Sequence, residues 1–332
     1  MRQTDQPGVD KLTKDAAKVI IQVRGLCKSY GETRALENVA FAVREGEILG
    51  YLGPNGAGKT TTINILCGLL PRDAGEATIR GIDIEQDPVT VKEQIGVVPE
   101  ESNLYPELTS RRNLEYIGEL YGLSRSTRGL RTDELLESFD LADKAAVCFQ
   151  ALSRGMKRRL TIAAALVHSP PVIFLDEPTA GLDVPSARAL ISLIRSINRD
   201  GTTVFLTTHN LAVAESLCDR VLILVRGHVV AEGKAAEVRQ RVAKPGTLWV
   251  VLSGQVEQES LRTACPLIKS VAVVEGRWCL ETSDIHGVLT QISTFAEAQG
   301  VRVLEINSDT ASFEDAFMTI LTDKSGAPEV KS

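Results

Sequence analysis

Residues 53–60 read Gly-Pro-Asn-Gly-Ala-Gly-Lys-Thr, and no other stretch constrains the fold so tightly. The spacing is G-x-x-x-x-G-K-[ST]. Gly56 and Gly58 let the backbone turn until successive N–H groups point inward at an anion. The apolar segment 47–52 before the loop reads as a strand. The pattern Ile63, Leu66, Leu69, Leu70 after it reads as a helix. A strand feeding a glycine loop feeding a helix aims the helix N-terminus, worth about half a positive charge, at the same point. The expected ligand is a nucleotide polyphosphate. Lys59 reaches its β- and γ-phosphates, and the Thr60 hydroxyl can ligate Mg²⁺. Gly53, Pro54, Asn55, Ala57 and Thr61 complete the candidate cradle.

A second motif supplies what such a loop lacks. Residues 172–177, Val-Ile-Phe-Leu-Asp-Glu, are four apolar residues closed by two acids. An apolar run of that length fits a parallel strand buried on both faces. Asp176 at its end can hold the Mg²⁺ shell. Glu177, the next residue, can orient or deprotonate an attacking water.

The surroundings of these motifs read as an α/β chain. Residues 1–17 are expected to be a disordered tail. Order begins with an edge strand over 18–31, followed by a hairpin of residues 39–43 and 47–52 about a turn at Arg44-Glu45-Gly46, and by a further hairpin at 75–84. A helical region spans about 104–168. Its helices are capped by Thr109 or Ser110, by Thr132 or Asp133, and a third is stopped by Pro170 and Pro171. Strand 172–176, helix 186–198, strand 202–209, a further helix and strands 220–227 and 228–233 follow. The expected domains are a 18–235 core, a linker at 236–246, a C-terminal domain at 247–323 and a tail at 324–332. The C-terminal order is βαββαβ, which suggests a small α+β ferredoxin-like domain.

Charge and cysteine usage exclude some partners and compartments. The 332 residues carry 37 basic and 43 acidic side chains, a net charge of −6. A chain devoted to nucleic acid usually carries a basic excess, so no nucleic-acid partner is expected. No apolar run reaches the roughly 18 residues of a membrane span, and the N-terminus has no apolar core of a secretory signal. Six scattered cysteines without CxxC spacing are expected as reduced thiols, mostly in cores, of a cytosolic protein.

Taken in order, the motifs resemble the nucleotide-binding subunit of ABC transporters across about residues 19–235. That resemblance implies a P-loop NTPase of ABC type: an antiparallel β subdomain, a RecA-like parallel-sheet core and a helical subdomain. It implies an ATPase that uses Mg²⁺. It assigns Tyr30 to stack on adenine, Asp183 of the Ala-Gly-Leu-Asp segment to the dimer interface, and His209 to the γ-phosphate. The family's Leu-Ser-Gly-Gly-Gln signature stands here as Leu-Ser-Arg-Gly-Met at 152–156. Ser153 and Gly155 survive to face a triphosphate held by the other subunit, and Arg154 replaces a glycine. Arg154 either points away or adds a positive charge to that composite site. Lys157, Arg158 and Arg159 follow, and such a charge run is expected to be a solvated face with salt bridges. The position of the family's Mg²⁺-coordinating glutamine holds Glu100, still a hard oxygen ligand.

The signature and the C-terminal segment 312–321 resemble bacterial drug-resistance exporter cassettes of the daunorubicin type. The implied partners are a second cassette and a membrane permease received at 101–109, with Tyr105 and Leu108 as candidate contacts. The implied location is the inner face of the plasma membrane. A soluble ABC ATPase acting on a macromolecule, or an ATP-binding regulatory module, stays open as the alternative.

Overall fold

The computed structural model describes residues 18–242, 246–254, 256–274, 276–309 and 313–325. The expected tail at 1–17, most of that at 324–332, and Ser312, the first residue of the 312–321 segment, lie outside the described residues. Two compact units divide between Lys234 and Ala235.

The first unit opens with β1 (Val19–Tyr30), β2 (Thr33–Arg44) and β3 (Ile48–Leu52), then α1 (Lys59–Leu66), β4 (Ala74–Ile79), β5 (Ile82–Asp83), α2 (Pro88–Glu93) and β6 (Ile95–Val98). Three helices follow: α3 (Ser110–Leu120), α4 (Arg125–Ser138) and α5 (Arg154–Ala165). The unit closes with β7 (Val172–Asp176), α6 (Val184–Arg199), β8 (Thr203–Thr208), α7 (Leu211–Leu217), β9 (Arg220–Val225) and β10 (His228–Gly233). Among the described residues these strands form an antiparallel sheet in the order β2-β1-β4-β5 and a second sheet in the order β10-β9-β3-β8-β7-β6. The second sheet is parallel apart from its β9/β10 edge pair.

Strand β7 shows why the parallel core needs unbroken apolar runs. All five of its residues are buried. Val172 and Phe174 join a core shared with the antiparallel sheet, through Ile21 and Val43. Ile173 and Leu175 join the opposite core with Leu114, Leu160 and Ile162 of the helical region. Each such side chain contributes about 1.5–3 kcal/mol by leaving water, so both faces must be covered.

The expected pairing of the first strands is wrong, and burial explains it. The 39–43/47–52 hairpin does not form: β2 pairs with β1 through a two-residue turn at Gly31-Glu32, and β3 lies in the other sheet. The burial of β2 alternates while β3 is buried throughout, the pattern of one covered face against two. Nor is β1 an edge, since β4 pairs on its other side. Where the chain changes sheets, Glu47 accepts from Arg44 N–H at 2.8 Å and from Arg220 Nε at 2.6 Å. Burial pushes the pKa of Glu47 up, but the Arg220 and Arg44 hydrogen bonds outweigh it and hold the carboxyl below its usual value.

Helix starts also differ. Thr109 caps α3 as expected, whereas α4 is capped by Ser124 and encloses a fully buried Thr132. Helix α5 ends at Ala165, before the prolines, and α6 begins at Val184 rather than Ser186, capped by Asp183.

The second unit contains α8 (Ala235–Val242), β11 (Gly246–Leu252), α9 (Gln258–Ala264), β12 (Ile268–Val274), β13 (Arg277–Thr282), α10 (Ile285–Gln299), β14 (Val303–Asp309) and α11 (Phe313–Ser325). The segment read as a linker is largely α8, which packs against α11 within this unit. The sheet order is β12-β13-β11-β14, antiparallel throughout its pairs. Each βαβ turn thus spans an intervening antiparallel strand, the ferredoxin-like arrangement. Leu248, Val250, Leu280, Val288, Ile292 and Phe295 fill its core. None of the six cysteines forms a disulfide, and no described helix is long and apolar enough to cross a membrane.

Candidate functional site

The glycine loop joins the end of β3 to the start of α1, at the carboxyl ends of the parallel strands, where ligands of open α/β sheets bind. Gly56 and Gly58 take φ of 79° and 108°. A Cβ on Gly58 would stand 2.6 Å from the Ala35 carbonyl, so position 58 excludes a side chain on both backbone and space. Gly58 caps α1 with no side-chain hydrogen bond, which leaves the first turn of the helix to a ligand. The buried Lys59 curls back over the loop. Its Nζ donates to the Gly53 carbonyl at 2.7 Å and the Pro54 carbonyl at 3.2 Å. A cation held inside a concave backbone fits a phosphate.

The acids at the end of β7 meet this loop. Thr60 Oγ1 donates to Asp176 Oδ2 at 3.2 Å, and Thr207 Oγ1 donates to Asp176 Oδ1. A hydroxyl and a carboxylate so paired, both on hard oxygen atoms, fit Mg²⁺. Glu177 is buried, with Oε1 3.8 Å from Lys59 Nζ and 2.9 Å from His209 Nδ1. Its N–H donates to Thr207 Oγ1 at 3.1 Å. Its φ of 44° is left-handed, an uncommon conformation for a residue with a Cβ.

Around this cluster the structure brings together Lys59, Thr60, Asp176, Glu177 and His209. Glu100 follows β6 with its side chain exposed. Tyr30 ends β1, half exposed, at the β1/β2 turn. Asp73 fixes the approach to it, accepting from Ser29 N–H and from Lys28 Nζ, both at 2.7 Å. The Lys28 bond, foremost, holds the Asp73 carboxyl below its usual value.

Ser153, Gly155 and Asp183 form a separate group. Ser153 caps α5, accepting from Met156 N–H at 3.3 Å. A Cβ on Gly155 would meet Ser186 Oγ at 3.0 Å. Asp183 caps α6 by accepting from Ser186 N–H at 2.8 Å, and hydrogen bonding from Ser186 keeps its carboxyl more acidic than usual. Arg154 turns toward this group, donating from Nη1 to the Gly181 carbonyl at 2.7 Å.

The basic run is not one solvated face. Arg159 does salt-bridge Asp140 at 2.9 Å, and Lys157 lies over the Phe149 ring. Arg158 is instead buried, 8% exposed, among the carbonyls of Pro99, Glu100, Asp176 and Pro178. The middle one of three basic side chains in a row carries no sign of this, because helical periodicity is visible only where neighbours differ. Thr207, also missed, had a signal: two threonines that close a strand with an apolar middle.

Comparison with known proteins places this geometry. A family model described as ABC transporter matches residues 36–180. The linearmycin resistance ATP-binding protein of Bacillus subtilis is 33% identical over 91% of this chain and 98% of its own length. A daunorubicin resistance ATP-binding protein of Streptomyces coeruleorubidus is 34% identical over 94% and 98%. Among solved structures, an ATP-binding subunit of an ABC transporter overlays with a TM-score of 0.61 at 35% identity, covering 67% of this chain and 92% of that one. A dimeric ATP-binding cassette with ADP and phosphate bound overlays at 0.60 and 32% identity, covering 65% and 98%. The chain belongs to the ABC transporter family, as an ATP-binding cassette subunit that hydrolyses ATP.

Proposed function

We propose that this cassette drives an exporter, pairing with a second copy around two ATP molecules and working on a separate membrane permease. The observation that carries the catalytic part is Glu177, buried between Lys59 and His209 and beside the Thr60–Asp176 pair. The names of the relatives, resistance proteins for linearmycin and daunorubicin, support an exporter of the drug-resistance type.

Tyr30 stacks on adenine, and the N–H groups of residues 55–61 hold the phosphates. Lys59 leaves the Gly53 and Pro54 carbonyls for the β- and γ-phosphates. Thr60 and Asp176, with Glu100 at the edge, would hold Mg²⁺, which when bound neutralises charge on the phosphate oxygens. Glu177 orients the attacking water and takes its proton, and His209 keeps the carboxylate aimed and contacts the γ-phosphate. Ser153 and Gly155 face the nucleotide of the second copy, with Asp183 across the interface. The 101–109 segment, where Tyr105 is exposed and edge-on to Tyr116, receives the permease and brings the subunit to the inner face of the plasma membrane.

Glu177→Gln tests the reading. It should bind ATP like the wild type, lose at least about a hundredfold in turnover as expected for a general base, and accumulate as an ATP-dependent dimer in size-exclusion chromatography. A variant with wild-type turnover overturns the assignment of the base.

A further inference from the structure

Arg158 is a buried cation whose partners are all main-chain. Its Nε donates to the Pro178 carbonyl at 3.0 Å and its Nη2 to the Asp176 carbonyl at 2.5 Å. Its Nη1 donates to the Pro99 carbonyl at 2.5 Å and the Glu100 carbonyl at 3.1 Å. The Asp176 and Pro178 carbonyls flank Glu177, the residue with left-handed φ. A strained backbone of that kind persists only where its surroundings over-determine it. One planar, five-donor group thus grips both sides of the strained residue and, with its other edge, the segment carrying Glu100. One helical turn earlier on α5, Arg154 grips the Gly181 carbonyl.

We propose that Arg158 is a positioning residue for ATP hydrolysis: it holds the Glu177 backbone in its reactive conformation and ties it, and the Glu100 segment, to the helix that begins with Ser153 and Gly155. Because the acceptors are carbonyls, the device depends on the guanidinium and not on which residues stand at 99, 100, 176 or 178. Burial works against the charge of Arg158, while Asp176, Glu100 and Glu177 nearby favour it. A displacement of the start of α5, where the second copy's nucleotide would be felt, therefore reaches Glu177 through one rigid side chain.

This inference rests on the reading of Glu177 as the base, so the experiment includes Glu177→Gln in the same assay. ATP turnover, KM and the affinity for a fluorescent ATP analogue are measured for wild type, Arg158→Lys, Arg158→Gln and Arg159→Gln in the full-length chain, with circular dichroism for folding. Lysine keeps the charge but cannot span both pairs of carbonyls. Both Arg158 variants should lose about ten- to a hundredfold in kcat, as misplacement of a catalytic group does, with KM and analogue affinity within about threefold, a ratio worth roughly 0.7 kcal/mol. Arg159→Gln, whose parent side chain serves Phe139 and Asp140, should match the wild type. Arg158→Lys with full kcat overturns the inference. So does parallel loss of kcat and analogue affinity, or loss of fold in both Arg158 variants, since each marks the side chain as merely structural. If Glu177→Gln keeps its turnover, the assignment of the base fails instead.

Discussion

The loop at 53–60 and the segment at 152–159 are both proposed to bring a glycine toward phosphate, yet they are built by opposite means. In the first, shape comes from the main chain: Gly56 and Gly58 sit at positive φ, and α1 starts with no side-chain cap. In the second, Gly155 has ordinary helical geometry, and shape comes from side chains. Ser153 caps α5, Arg154 reaches Gly181, and Arg158 reaches four carbonyls. A motif made of backbone is strained by a Cβ where φ is positive. A motif made of side chains on a helix can exchange one residue for another if the reach is kept. That difference accounts for an intact Gly-Lys-Thr loop beside a signature in which arginine and methionine replace glycine and glutamine.

Gly58→Ala should have the largest effect. The added methyl would meet the Ala35 carbonyl at 2.6 Å and Leu36 Cδ2 at 2.7 Å, at a φ of 108°. A non-glycine residue held in such a region costs about 1–3 kcal/mol, and the collision adds to it. Nucleotide affinity should fall by about tenfold or more, read by titration with a fluorescent ATP analogue. Wild-type affinity would break the distinction between the two loops.

Arg154→Gly should do much less. It removes one exposed hydrogen bond and places glycine in the first turn of α5, a cost of about 0.5–1 kcal/mol. Binding of ATP to a single cassette should stay within about twofold, because Arg154 touches Gly181 and not the 53–60 loop. ATP-dependent dimerisation of the Glu177→Gln background should weaken by less than about tenfold, measured by sedimentation. Tighter dimers would show Arg154 to be an obstacle at the composite site rather than a brace for the Gly181 turn.

The same division explains what was legible in the sequence. Backbone-built features announce themselves, because glycine spacing and buried strand runs are forced by sterics and desolvation: the 53–60 loop, β7 with its two acids, and the βαββαβ order of the second unit could all be read. Pairing could not. Strands β2 and β3 are consecutive and both apolar, and only the alternation in one against the continuity of the other separates their sheets. Side-chain-built features were the least legible. Lys157, Arg158 and Arg159 are chemically alike, yet one covers a ring, one is buried under two loops and one bridges Asp140. Nothing local distinguishes them, since the carbonyls that take Arg158 belong to β6 and β7 ends far along the chain.

Acid should separate the two regions by the smallest margin. Asp183 caps α6 beside Gly155, and its pKa is lowered from 3.8 by hydrogen bonding from Ser186. A carboxylate depressed in the folded state binds its proton more weakly there than in the unfolded chain. Its stabilisation is therefore full above the unfolded value of about 3.9 and is lost as pH falls through the folded value. Gly58, the corresponding cap of α1, has no side chain to titrate. Asp183→Asn keeps a capping oxygen but removes the proton linkage. Melting temperatures of wild type and Asp183→Asn should run parallel from pH 7 to about pH 5 and converge by a degree or so below about pH 4. Curves that stay parallel through the acid range would mean that the Asp183 charge adds nothing to the cap, and that the signature side, like the 53–60 loop, is held without titrating groups.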